Sequence, residues 1–160
     1  MYIRITSLAL TAFLAGCASS PNFDTTLVDR SLTPSSVTAE PAISLGKTAI
    51  WGGTILDTRN LKDSTQIEVL AYPLNASQRP LQESKPLGRF IILQKGYIEP
   101  ATYAQGRQLT VIGTINKQQV GKIGKSQYTY PVIRAEKLHL WEPYSDKSKT
   151  SFHFGIGIGL

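Results

Sequence analysis

Residues 48–57 read TAIWGGTILD, and this stretch, Thr48–Asp57, decides the fold class. It is rich in β-branched and aromatic residues, which favour a strand over a helix. Gly52 and Gly53 stand side by side in its middle. Glycines inside a strand mark a sharp bend, a bulge or a place where another backbone comes close. We therefore predict a first strand that is shaped by its paired glycines.

Four further stretches show the alternation of apolar and polar residues that is typical of short strands. They are Thr65–Pro73, Gly88–Lys95, Arg107–Lys117 and Gln127–Trp141, the last supplying one or two strands. The residues predicted to face inward are Ile67, Val69 and Ala71 in the second strand, and Leu109, Val111, Gly113 and Ile115 in the fourth. The third stretch is apolar on both faces, so we expect it to lie deep. Pro131 requires an edge or bulged position, because proline donates no backbone hydrogen bond.

One segment between the third and fourth strands is predicted to be helical. Glu99–Gly106 has a proline near its start and a glycine at its end, which indicates about two turns. Five strands, a bent first strand and this short helix match the plan of an OB-fold, a small and partly open Greek-key barrel. We predict an all-β, antiparallel, OB-fold-like barrel in which Tyr103 and its neighbours plug one end. A different antiparallel barrel or a sandwich is the alternative.

The first 16 residues have the features of a processing signal. Arg4 is the only charged residue among them, an apolar run covers residues 7–15, and Leu14-Ala15-Gly16 leads to Cys17, the only cysteine of the chain. This arrangement resembles the lipobox of bacterial lipoproteins. The resemblance implies cleavage before Cys17, a diacylglycerol on its thiol and acylation of the new amine. We therefore predict Cys17 as the lipid attachment site; a buried thiol ending an uncleaved helix is the alternative.

The residues after Cys17 indicate the destination and organisation of the chain. Lipoproteins kept in the inner membrane usually carry Asp next to the cysteine, whereas Ala18 follows here, which implies the outer membrane and a domain that faces the periplasm. From Ala18 to Glu40, 11 of 23 residues are Ser, Thr or Pro, a composition that predicts a disordered tether, with one helical turn begun by Thr33 and Pro34. We divide the chain into a signal peptide (1–16), a lipidated N-terminus and tether (17–45), a barrel domain (46–144) and a C-terminal tail (145–160).

Composition and charge limit the classes of function. The chain has 160 residues, of which 41% are apolar and 18% charged, and its only long uncharged apolar run is too short to span a bilayer. The formal net charge is +6, or +5 once Arg4 leaves with the signal peptide, which favours lipopolysaccharide, acidic phospholipid or nucleic acid as a partner. The candidates for contact with anionic headgroups are Lys117, Lys122, Lys125 and Arg107, around the hairpin after the fourth strand. An ordinary solvated face is the alternative.

Residues that carry catalysis or bind metal ions are scarce. The chain has two histidines, His139 and His153, its 11 acidic residues are scattered, and one cysteine excludes a Cys-rich zinc site. Alternation in the sequence LHLW makes His139 a rim or solvent-facing residue. No GxSxG motif exists, and the run from Gly121 to Ser126 lacks the first glycine of a P-loop, so we interpret it as a hairpin turn. We predict no catalytic residue, no metal site, no cofactor and no enzymatic activity.

Several stretches together carry a family resemblance. They are IWGGTI (50–55), IEVLAYPL (67–74), GRF (88–90), GR followed by LTVIG (106–113), YPV (130–132) and LHLW (138–141). With the lipobox they resemble the Slp family of starvation-inducible outer-membrane lipoproteins over most of the chain, although Ser151–Leu160 follows no motif of that family. The resemblance implies an outer-membrane lipoprotein linked to stationary phase and stress. It supplies no catalytic residues.

A basic barrel with aromatic strands also has to be compared with nucleic-acid-binding OB domains, whose strands stack bases. A lipid-anchored periplasmic protein rarely meets nucleic acid, and Trp51, Phe90 and Trp141 lie in strand patterns where core packing is the usual role. We therefore expect no nucleic-acid partner. The sequence favours a non-enzymatic envelope protein that binds an unknown envelope protein or helps to maintain the outer membrane. A periplasmic module that binds a small ligand or a glycan is the alternative.

Overall fold

The computed structural model of the chain describes residues 21–143. Two short helices come first and five strands follow. The elements are α1 (Pro34–Ala39), α2 (Pro41–Ser44), β1 (Thr48–Asn60), β2 (Ser64–Tyr72), β3 (Arg89–Lys95), β4 (Gln108–Ile123) and β5 (Ser126–Leu140). The predicted fifth stretch therefore forms a single strand.

The five strands close into a barrel in the order β1-β2-β3-β5-β4. All neighbouring strands are antiparallel except β3 and β5, which pair in parallel between Ile91–Leu93 and Val132–Arg134. Pro131 directly precedes this parallel segment and is paired on its other side with Gln118 of β4, so it occupies the edge position that its missing N–H requires. The prediction of an all-β, OB-fold-like barrel is confirmed.

Residues 99–106, between β3 and β4, form turns and not the predicted helix. The internal bonds make only one turn, in which the N–H groups of Thr102 and Tyr103 both donate to the Glu99 carbonyl at 3.1 Å. Other bonds attach the segment to β1: the Tyr103 carbonyl accepts from the Thr58 hydroxyl at 2.8 Å, and the Gly106 N–H donates to the Ile55 carbonyl at 2.9 Å. Gly106 has a φ of +87°, which agrees with its predicted role as a stop signal at the end of the segment. Tyr103 nevertheless packs against the core at this end of the barrel, as predicted, without a helix to carry it.

The paired glycines of β1 lie where the strand is hydrogen-bonded on both sides. Gly52 pairs with Tyr72 of β2 and with Thr110 of β4, and Gly53 pairs likewise on both sides. A Cβ on Gly53 would overlap the carbonyl group of Leu70, so only glycine allows this approach of the two backbones. The irregularity of β1 lies further on, between Ile55 and Asp57. Of the three readings of the glycine pair, close approach of a neighbouring backbone is the correct one.

The inward faces of the strands form one main core. Its buried members include the predicted Ile67, Val69, Ala71, Leu109, Val111 and Ile115. Trp51 and Phe90 meet edge to face inside it, with ring centroids 5.1 Å apart. β3 is buried on both faces, as expected, because Ile91 on its outer side belongs to a second cluster with Tyr130 and Val132. The aromatic residues therefore serve packing, which is the role that the strand pattern predicted.

The described part of the predicted tether packs on the barrel from Phe23 onward. Phe23 is buried, Val28 pairs with Thr48 at the start of β1, and Val37 of α1 is completely buried in the main core. α1 begins as predicted at the Thr33-Pro34 signal, with Thr33 and Ser36 completing a reciprocal capping box. The Ser/Thr/Pro-rich composition of Ala18–Glu40 predicted a disordered tether, whereas the described part of this segment is ordered because its few apolar residues pack against the barrel. Residues 1–20 and 144–160, including the Phe152–Leu160 run, lie outside the described part.

Candidate functional site

The predicted lipid attachment site, Cys17, lies outside the described residues, but the point where the chain joins the barrel is described. Lys137 of β5 donates from Nζ to the carbonyl oxygen of Asn22, and the same Nζ lies 5.5 Å from the ring centroid of Phe23. Asn22 lies five positions after Cys17, and an extended chain of that length spans at most about 18 Å. The chain therefore contacts β5 only a few residues after Cys17.

Residues 116–130 form a hairpin that projects beyond the start of β1. Thr48, the first residue of β1, pairs with Thr114, so the later part of β4 and the part of β5 paired with it extend past that end. The hairpin carries Lys117, Lys122 and Lys125 and has no acidic residue. Gly124 has a φ of +58° in the turn, which agrees with the interpretation of the P-loop-like run as a hairpin turn.

Arg107 does not join the hairpin lysines, which corrects the grouping made from the sequence. It lies before the first residue of β4, whereas Lys122 lies near the last, about 50 Å further along an extended strand. Its guanidinium donates to the carbonyl oxygens of Trp141, at 3.0 Å, and Thr102, at 3.3 Å. Its Nε is buried without a hydrogen-bond partner among the described residues. Arg107 therefore holds chain segments together at the opposite end of the barrel.

Two tyrosines of the hairpin cover the outer face of β2 and β3. The Arg89 guanidinium and the Glu68 carboxylate form an ion pair at 2.8 Å on this face. The Tyr130 hydroxyl donates to Glu68 at 3.2 Å, and the Tyr128 hydroxyl accepts from the Arg89 backbone N–H at 3.0 Å. Burial, together with the Glu68 carboxylate, raises the pKa of Tyr130, so its phenol stays protonated. OB-folds bind oligonucleotides and oligosaccharides on the face of strands 2 and 3, which here is occupied by the chain itself.

A groove of about 270 Å³ lies on the outside of β1 and β2, between the N-terminal segment and the loop that follows β2. Its polar lining includes Arg30 and Thr33 on the N-terminal side and Tyr72, Asn75 and Gln78 on the other, while Ile50 and Leu74 contribute apolar surface. Gln78 has a φ of +65°, a backbone conformation that residues other than glycine adopt at an energetic cost. Residues in such conformations are concentrated at ligand sites. The groove thus combines polar and apolar groups with a strained backbone position, which makes it a candidate site for a small ligand.

His139 lies at the rim, as predicted. It pairs with Thr110 in the β4–β5 ladder, and its ring meets the Trp141 indole edge to face at 4.5 Å. Partial burial lowers the pKa of His139, the nearby Lys137 charge lowers it further and Glu142 partly opposes both. Within residues 21–143 no group of three or more His, Cys, Asp or Glu residues could hold a metal ion. In that same part of the chain, no helix combines the length and apolar character that crossing a bilayer requires.

Three features of this surface were not predicted from the sequence. They are the Phe23–Lys137 contact, the covering of β2 and β3 by Tyr128 and Tyr130, and the groove. The two tyrosines carry a usable signal, because residues two apart in a strand lie on one face. No sequence pattern indicates the groove, because its walls come from segments that are distant in sequence.

The fold and the N-terminal sequence together define a class: a small, closed, OB-like barrel behind a bacterial lipoprotein signal. Residues 14–156 match the sequence model of the outer membrane lipoprotein Slp family. The chain belongs to that family, which places it in the outer membrane and confirms the resemblance. The matched range includes Cys17.

Three relatives illustrate the membership. The chain is 40% identical over 96 residues to an uncharacterized protein of Haemophilus influenzae, a match that covers 59% of this chain and 52% of that protein, about half its length. It is 28% identical over 136 residues to the Outer membrane protein Slp of Escherichia coli, covering 84% of this chain and 72% of the relative. It is 27% identical over 132 residues to the uncharacterized lipoprotein YeaY of Escherichia coli, covering 80% and 66%.

Among solved structures, the barrel is similar to a small single-stranded DNA-binding protein from Streptomyces coelicolor. The two share 13% identity with a TM-score of 0.38, and the alignment covers 59% of this chain and 94% of the other.

Proposed function

We propose that the protein is triacylated at Cys17 and holds its barrel against the periplasmic side of the outer membrane, as a non-enzymatic envelope protein. The carrying observation is the short connection between Cys17 and the Asn22–Lys137 contact. A domain attached to its anchor by a segment of at most about 18 Å cannot move far from the bilayer. Three acyl chains make such an anchor nearly irreversible, because each buried CH₂ contributes about 0.8 kcal/mol.

The substitution Cys17→Ser tests the anchor, with Ser19→Ala as the matched control. We expect the wild type and the control to be cleaved, to carry acyl chains by mass spectrometry and to fractionate with the outer membrane. Cys17→Ser should keep residues 1–16 and carry no lipid. Normal processing and normal membrane partitioning of Cys17→Ser would contradict the proposal.

The activity that we propose is binding of an envelope component during starvation, and no catalysis. The support is that the Glu68–Arg89–Tyr130 cluster, on the face that OB-folds use for ligands, is engaged in bonds within the chain. A strain lacking the protein should admit more of a hydrophobic dye in stationary phase than in growth. The wild-type chain should restore the barrier and Cys17→Ser should not. Equal dye entry with and without the protein in both phases would remove the proposed role.

The groove favours a second candidate function, binding of a short acidic glycan. Tyr72 offers an aromatic ring for a sugar face, Asn75 and Gln78 offer amides for hydroxyl groups, and Arg30 offers a cation for a carboxylate. A volume of about 270 Å³ is close to the lower end of the range for ligand pockets, so the groove would hold only part of a longer glycan.

Thermal shift with the disaccharide of N-acetylglucosamine and N-acetylmuramic acid tests this function, because ligand binding raises Tm by mass action. Tyr72→Ala should abolish the shift. Tyr97→Ala, an exposed tyrosine outside the groove, should leave it unchanged. A shift that survives Tyr72→Ala, or no shift in the wild type, would reject the groove.

A further inference from the structure

Among the described residues, four of the seven exposed large apolar side chains lie at one end of the barrel, while Leu61, Leu81 and Tyr97 lie elsewhere. Leu27 is 84% exposed, Val120 is 60% exposed and Ile43 is 59% exposed, and Leu45 is exposed as well. Single exposed apolar residues are ordinary, but a group of them marks an interaction surface. We call these four residues the docking end.

Backbone contacts bring Leu27, Leu45 and the hairpin of Val120 to the same end, and Ile43 lies in α2, which Leu45 caps. Val28 pairs with Thr48, which places Leu27 beside the start of β1. The Gly46 N–H donates to the Ile115 carbonyl at 2.8 Å, which places Leu45 beside the point where the hairpin begins. The hairpin that carries Val120 projects past this end, and α1 supports it, since Gln118 Nε2 donates to the Val37 carbonyl at 3.1 Å.

The charged side chains around the docking end have both signs, with cations in the majority: Asp24 and Glu40 lie three residues before Leu27 and Ile43, and Glu136 accepts from the Thr114 hydroxyl at 2.8 Å. The hairpin contributes three lysines and no acidic residue. Arg134 pairs with Thr114 close to the base of the hairpin. Lys47 also lies at this end, but its charge is neutralised by Asp29, whose carboxylate lies 3.2 Å from Lys47 Nζ. Exposed apolar side chains surrounded by cations are the combination that binds an anionic lipid surface.

We propose that the docking end lies on the membrane that holds the acyl chains, with Leu27, Ile43, Leu45 and Val120 entering the headgroup region of an anionic phospholipid bilayer. This inference rests on the proposed acylation of Cys17. The bilayer is the occupant because only ten residues separate Cys17 from Leu27, a span of at most about 35 Å that keeps the lipid surface within constant reach. The positive hairpin provides the matching charge.

A single introduced thiol tests the orientation in the acylated full-length mature protein. Cys17 is the only cysteine and is acylated under the proposal, so Leu27→Cys or Leu45→Cys supplies the only thiol for an environment-sensitive fluorophore. Leu61→Cys is the matched control, since Leu61 is 51% exposed and follows β1 at the opposite end. The labelled proteins are reconstituted in vesicles of phosphatidylethanolamine and phosphatidylglycerol that contain a nitroxide-labelled lipid.

We expect the fluorophore at residues 27 and 45 to shift to shorter wavelength and to be quenched by the nitroxide, and the fluorophore at residue 61 to remain aqueous. If the signals at both ends are equal while the protein still pellets with the vesicles, the docking proposal is rejected and acylation of Cys17 is retained. Failure of the protein to pellet would reject acylation, and the docking proposal with it.

Charge reversal provides a second measurement on the same labelled protein. Each lysine near an anionic surface contributes enough to change the ratio of docked to undocked protein about fivefold at low salt. Lys122→Glu with Lys125→Glu should therefore reduce quenching at residue 27 strongly. Lys62→Glu with Lys95→Glu, which changes the same charge at the opposite end, should not. Equal effects of the two pairs would contradict docking through the hairpin end.

Discussion

The indole Nε1 of Trp51 donates to the carbonyl oxygen of Leu32 at 2.8 Å. This bond joins a core residue of β1 to the segment that leads from the proposed anchor, because Trp51 also packs against Phe90 inside the barrel. The N-terminal segment is thus a structural part of the barrel. Because this segment is attached to the core, the position of the proposed anchor limits where the whole domain can lie.

Val37→Ala should lower the free energy of unfolding by about 1–3 kcal/mol, since Val37 is completely buried and its loss leaves a cavity at the barrel end. Val120→Ala is the control, because Val120 is exposed and its truncation should change stability by less than about 0.5 kcal/mol. Urea unfolding of both variants measures the difference. Equal stability of the two would mean that α1 does not seal the barrel.

Gly53→Ala should cost about 3 kcal/mol or more, or prevent folding, because the new methyl group would overlap the Leu70 carbonyl. Gly121→Ala serves for comparison: its Cβ would meet only the Tyr130 ring, at 3.0 Å, and we expect a change within about 1 kcal/mol of zero. Thermal unfolding compares the variants. A Gly53→Ala protein with the wild-type Tm would show that the two backbones do not approach closely at this position.

Tyr128→Phe should destabilise the protein more than Tyr130→Phe. The first removes the acceptor of the Arg89 backbone N–H, which costs about 1–3 kcal/mol, whereas the second leaves Glu68 paired with Arg89 and costs about 1 kcal/mol. Chemical denaturation of the two single variants measures the order. The reverse order would show that the Glu68–Tyr130 bond is the one that holds the hairpin on β2 and β3.

Acid should weaken the fold in part through His139. Its pKa is lower in the folded protein than the ordinary value of 6.5, so the unfolded chain binds the proton more readily. The resulting stability is fully present above pH 6.5 and is lost as the pH falls through the folded-state value. Stability at pH 5 and pH 7.5 should differ less in His139→Gln than in the wild type.

Proton NMR provides the direct check on His139. Its ring resonance should titrate below pH 6.5, and His153→Gln assigns the signal, since the chain has only these two histidines. A His139 midpoint at or above 6.5 would contradict the effect of burial beside Lys137.

Local sequence patterns were sufficient to predict the strands. Ile67, Val69 and Ala71 alternate with polar neighbours, and this period of two determines their common face wherever the strand goes. The Thr33-Pro34 cap is equally local, because both capping bonds join residues three apart. The helix predicted over 99–106 was wrong because a short segment with Pro and Gly at its ends has little intrinsic stability, and contacts with β1 decided its conformation.

The sequence by itself determined the alternating strands, the glycine pair and the lipobox at Cys17, because each depends only on neighbouring residues. The tertiary structure alone decided that Val37 enters the core, that Tyr128 and Tyr130 cover β2 and β3, and that Arg107 lies far from the hairpin lysines. These results depend on strand register and barrel closure, which bring together residues up to about a hundred positions apart. A pattern read along the chain contains no record of which distant surface each residue will meet.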